Sequence, residues 1–236
     1  MTRHELKDQI QHDQFTDTVS SAVGYAASHR EQLIRWGIVA ILALAVAGGV
    51  FGYESYQNSL RQQDLEAALE VADTPVGPAN PADPAAKVFA TQDEKTKASM
   101  KAMASVVAKD GGTRQGLTAE YYLGTLKAQS GDQRGAEADL SAVSNSRSEF
   151  APLAKIALAE LYAGQNKSSQ AQTLLRDLIN KPSDLVSKAQ AEILLAHLEE
   201  NTNPKDAKKI LQSLKSQTPD PAVTRAVDQM SAQISK

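Results

Sequence analysis

The chain has 236 residues, a formal net charge of −3 from mixed signs, 42% hydrophobic and 5% aromatic content, and no cysteine. Enough apolar side chain is present for a real core, and scarce aromatics beside abundant Ala, Leu, Gln, Lys and Glu predict an all-α fold. Missing cysteines exclude disulfides, thiolate zinc sites and thiol nucleophiles, and the lack of a Lys/Arg cluster leaves no phosphate-binding face, so nucleic acid is not an expected partner.

Residues 1–35 carry Leu6, Ile10, Phe15, Val19, Val23 and Ala26 at loose helical spacing, but Glu5, Asp8, Asp13 and Asp17 lie among them, which predicts a partly ordered cytoplasmic tail. Residues 36–53 then run without a charge, close to the roughly 20 residues a helix needs to cross a bilayer core. Trp36 stands at one end and Phe51, Tyr53 and Tyr56 at the other, where amphipathic rings prefer the headgroup level. A cleaved signal peptide is the competing reading. The long polar stretch ahead and the Gly48, Gly49 and Gly52 cluster, a poor cleavage motif, argue for an uncleaved anchor. Arg30 and Arg35 precede the span, whereas Arg61 follows among Glu54, Asp64, Glu66 and Glu70, so the N-terminus is expected in the cytoplasm and, in a bacterium, the rest in the periplasm. Gly48 with Gly52, and Ala45 with Gly49, repeat a small-xxx-small spacing that lets a second membrane helix approach, although such residues are also common in spans without that role.

Residues 54–72, with Leu60, Leu65, Ala68 and Leu69, predict a helical extension of the anchor. Across 73–86, Pro75, Pro78, Pro81 and Pro84 recur every third residue, the polyproline II repeat, and mark a linker read as a semi-rigid spacer.

From 87 to 236 apolar residues follow helical periodicity, and the pattern repeats after about 35 residues. Leu123-Gly124 aligns with Leu158-Ala159, Ala136 with Ala171, and Leu140 with Leu175; a weaker third copy places Ala207, Leu211 and Leu214 at the stations of Ala136, Leu140 and Val143, with Pro219 closing it. Ahead of these, Met100, Met103, Val106 and Val107 mark half of a degenerate first unit, and residues 221–235 read as a polar capping helix. Gly124 and Ala159 are placed where paired helices cross, and Gly131-Asp132 supplies a turn and a capping side chain.

These units resemble the tetratricopeptide repeat, which implies an α-solenoid that binds proteins along a concave face. Tyr162 fills the position where the repeat usually has Tyr, whereas Glu120 stands in place of the usual Trp and Lys127 in place of the usual Tyr. The groove stations are Tyr121, Thr125, Ile156 and Glu160, a set without the Lys and Asn of the carboxylate clamp found in some of these domains. The layout of tail, span and small repeat domain is similar to the YfgM family of bacterial inner-membrane proteins. That resemblance implies a subunit ancillary to the Sec translocon, with the SecYEG channel and a PpiD-type periplasmic chaperone as partners. An assembly or regulatory scaffold for another envelope machine is the alternative.

No phosphate loop, dinucleotide glycine pattern, Gly-x-Ser-x-Gly elbow or His-Glu-x-x-His occurs. His4, His12 and His29 precede the span and His197 stands alone, while Glu199-Glu200 read as a solvated helix end. Neither a catalytic role nor a cofactor is expected.

Overall fold

The computed structural model describes residues 29–78, 87–200, 202–217 and 220–234. The amphipathic pattern of the tail, Pro81 and Pro84 of the proline repeat, and Pro219 lie outside them. Among the described residues the fold is helical: α1 (Arg30–Asp73), α2 (Gln92–Asp110), α3 (Arg114–Gln129), α4 (Gln133–Ser144), α5 (Ala151–Gly164), α6 (Ser168–Asn180), α7 (Lys188–Glu199), α8 (Pro204–Gln217) and α9 (Pro221–Ile234). The chain forms two compact units, residues 1–59 and 60–236.

In the first unit, α1 holds an apolar window with a mean hydropathy of 2.1, none of which is buried. By length and composition it is a candidate membrane span. Trp36, Leu44 and Phe51 each leave more than 70% of their surface uncovered. A contiguous apolar surface of this extent is costly in water and favourable in hydrocarbon. A methyl group placed on Gly48 or Gly52 would meet nothing within 4 Å.

The second unit begins inside α1, and here the structure departs from the sequence expectation of a spacer followed by a domain from 87. Leu65 and Ala68 are buried with Met103, Val106, Ala119 and Leu123, and Leu69 and Ala72 pack against them. The outer stretch of α1 is therefore the first helix of the first repeat unit, with α2 as its second. The described residues on the two sides of 79–86 pair with each other: the Gly77 amide donates to the Phe89 carbonyl at 3.0 Å, and the Phe89 amide to the Pro75 carbonyl at 3.0 Å. An extended spacer would hold these ends apart. The apolar residues of 60–72 need the opposite arrangement, because their helical stripe is covered only if α2 folds back onto it.

Further along, each helix packs chiefly on its neighbours in the chain, as in a solenoid. Second helices share one register: Ser99, Met103 and Val106 on α2; Ala136, Leu140 and Val143 on α4; Ala171, Leu175 and Leu178 on α6; Ala207, Leu211 and Leu214 on α8, all at most 4% exposed. Small residues come first in each trio because the helix axes approach there. First helices share another: Ala119, Leu123 and Gly124 on α3; Ala154, Leu158 and Ala159 on α5; Ala191, Leu195 and Ala196 on α7, all buried. At Gly124 the approach is tight, since a Cβ there would lie 2.8 Å from Leu140 Cγ.

Helix starts are set by short polar side chains. Thr91, Thr113, Asp132 and Ser187 accept from the amides of Glu94, Gly116, Gly135 and Gln190. Turns between paired helices use left-handed residues at matching places, Gly131 at φ 87° and Asn166 at φ 59°, both types that tolerate it.

Candidate partner-binding face

Repeat register places Thr125, Glu160 and His197 at one station of α3, α5 and α7, one residue past each Leu-small pair, and Tyr121, Ile156 and Ile193 at another. Between α5 and α7 lies a cleft of about 260 Å³ lined by Ile156, Ala159, Glu160, Leu175, Leu194, His197 and Leu198. Its floor is aliphatic. Its lip carries Glu160, which is exposed, and the largely exposed His197, whose Nδ1 lies 3.2 Å from Glu200 Oε2.

Of the groove stations read from the sequence, Ile156 and Glu160 come together here, whereas Tyr121 packs inside the fold and Thr125 bonds back to its own helix. Tyr121 packs on the cluster of Leu140, Val143, Ala154 and Leu158, with its ring 5.4 Å from Phe150 and 5.5 Å from Tyr122. Burial, then the neighbouring Tyr122 and Glu160, push its phenol above the ordinary value. The Thr125 hydroxyl donates to the Tyr122 carbonyl at 2.8 Å. Leu194, His197 and Leu198 line the cleft without any sequence signal assigned to them; the repeat of Ala154, Leu158 and Ala159 as Ala191, Leu195 and Ala196 carried that information.

Polar groups beside this face tie units together. Tyr162 donates its hydroxyl to Glu137 Oε1 at 3.1 Å, and Lys167 lies 5.1 Å from the ring centroid while pairing with Glu137 at 3.3 Å. Burial, followed by that hydrogen bond, raises the Tyr162 phenol. Lys127, in the place of a tyrosine, pairs with Asp139 at 2.7 Å, both largely covered. Nearby Glu120 is raised by burial and then by the Asp139 charge. Lys155 reaches Asp177 at 2.5 Å, and hydrogen bonds from Lys155 and Lys181 hold the Asp177 carboxyl below the usual range.

Glu199 corrects the expectation of a solvated Glu-Glu end. Its side chain is 7% exposed and lies 4.0 Å from Arg176, while Glu200 turns to His197. Glu199 reaches Arg176 on α6 while Glu200 bonds within its own helix end, so the adjacent carboxylates meet different partners. Among the described residues no group of three or more His, Cys, Asp or Glu is placed to hold a metal ion.

A tetratricopeptide repeat-like domain model matches residues 34–182, well over half of the chain. The chain belongs to the tetratricopeptide repeat-like domain family. The family match starts at the apolar window of α1 and ends just after α6, so the outer stretch of α1 and the Pro-rich segment fall inside the domain. No curated protein and no solved structure matches the chain. Domains of this family typically serve as non-catalytic scaffolds that bind proteins.

Proposed function

We propose that this protein is a membrane-tethered scaffold that holds other proteins on the face formed by α3, α5 and α7, and that it acts as an ancillary subunit of the Sec translocon. The observation that carries the reading is the pairing, in one chain, of an uncovered apolar helix with a repeat domain that presents an aliphatic cleft on its first helices. Exposed aliphatic floor framed by charge is the usual anatomy of a protein-binding site. Likeness of the layout to the YfgM family supports the translocon assignment, with SecYEG and a PpiD-type chaperone as partners. The bias of Arg30 and Arg35 over Arg61 supports a cytoplasmic N-terminus and a periplasmic repeat domain in a bacterial inner membrane. Gly48 and Gly52 give the span a face that a second copy can approach.

The test is purification of the full chain from membranes in mild detergent, with mass spectrometry of what accompanies it. Channel subunits and a membrane-anchored chaperone are the expected companions. A reproducible partner from another envelope pathway keeps the scaffold and removes the translocon role. Recovery of a soluble product cut near residue 53 contradicts the anchor.

A further inference from the structure

The cleft between α5 and α7 is lined by Ile156, Ala159, Leu175, Leu194 and Leu198, and at about 260 Å³ it is smaller than the roughly 300–1,000 Å³ typical of small-molecule sites. It suits a single large side chain. Charged side chains on α5, α6 and α7 have polar partners within the fold, Glu160 being the exception among the described residues. Lys155 is held by Asp177 at 2.5 Å, Lys188 pairs with Glu192 at 3.5 Å, Arg176 with Glu199 at 4.0 Å, and Glu200 engages His197 at 3.2 Å. Glu160, exposed on the lip, makes no ion pair among the described residues. An open carboxylate beside an aliphatic slot repels a carboxylate and attracts a cation.

We propose that this cleft takes an aliphatic or aromatic side chain of a partner polypeptide with a Lys or Arg beside it, the apolar group seating on Ile156, Leu194 and Leu198 and the cation meeting Glu160. The inference rests on the reading of this face as partner-binding and adds the chemistry of the segment that it selects. Desolvation of the apolar anchor supplies affinity, and the charge at the lip supplies discrimination between segments. Acidic segments and free C-terminal carboxylates are disfavoured by the same Glu160.

The experiment uses the full chain in living cells with a photo-reactive residue in place of His197, at the cleft lip, or of Thr125, at the same station of α3. Each probe is combined with wild-type Glu160, Glu160→Gln or Glu160→Lys, and circular dichroism of the purified variants checks that the helices persist. Expected from position 197 is an adduct whose partner segment holds an aliphatic or aromatic residue next to Lys or Arg, with a yield that drops about tenfold in Glu160→Lys and less in Glu160→Gln. A yield indifferent to Glu160→Lys, or a mapped segment without a cation, overturns the inference. Adducts from 125 with none from 197 also overturn it, and leave the scaffold reading in place. Silence from both positions removes both.

Discussion

Where α3 crosses α4 the chain sets Gly124 against Leu140; where α5 crosses α6 it sets Ala159 with Leu175. The surroundings differ as well. The first crossing is bordered by the Lys127–Asp139 ion pair and a turn capped by Asp132, the second by the aromatic Tyr162 and a turn through Asn166 without a side-chain cap. Two neighbouring units thus share a backbone while only the small and aliphatic stations agree. What the solenoid needs is the close helix approach and the buried leucine. The remaining stations are free to bind, pair or cap, and that freedom places the cleft at α5 and α7.

The largest effect is expected from the shared stations. Leu140→Ala and Leu175→Ala should each lower unfolding stability by about 2–5 kcal/mol in denaturant titrations, since both side chains are almost fully buried and their packing contacts are lost. If either costs under about 1 kcal/mol, the equivalence of the two crossings is broken. The crossing residues should split the units: Gly124→Ala should destabilise by about 1–3 kcal/mol through the contact with Leu140 despite the better helix propensity of alanine. In the second unit Ala159→Gly should cost only about 1 kcal/mol. Ser99 extends the comparison to the first unit, where it takes the alanine station with its hydroxyl buried and without a hydrogen-bond partner. Ser99→Ala should raise stability by about 1 kcal/mol, measured by thermal melting, because an unsatisfied buried hydroxyl is removed without loss of shape.

The smallest effect concerns pH. Asp177 is held below its ordinary value by Lys155 and Lys181, so its contribution is present above the unfolded carboxylate value and is lost as pH falls through the lowered folded-state value. Asp177→Asn should therefore destabilise at neutral pH by about 1 kcal/mol or less, because the side chain is a third exposed, and melts of variant and wild type should converge in acid. A gap that widens on acidification contradicts the pairing.

Helical class and the register of Ala136, Leu140, Ala171 and Leu175 were legible because period and residue size are properties of the sequence itself. The role of residues 60–72 was not, since the proline repeat separates that stripe from the helix that covers it, and only the Pro75, Gly77 and Phe89 backbone bonds reveal the return. In the cleft, Ile156 and Glu160 were readable from their station. Leu194, His197 and Leu198 were missed because the first-helix trio of the third unit, Ala191, Leu195 and Ala196, follows Ala154, Leu158 and Ala159 at a wider interval than the 35 residues of the first two units, and the partner of Glu199 is Arg176, distant in sequence.

The central claim is that partners are held on the first helices of the repeat. Its most direct measurement compares in-cell photo-crosslinking from Ile156 and His197 on α5 and α7 with crosslinking from Ala138 and Thr173, exposed on the second helices α4 and α6. Adducts to a defined partner from 156 and 197, with little from 138 and 173, are the predicted result. Equal or stronger adducts from 138 and 173 would place the partner on the opposite helices and contradict the account.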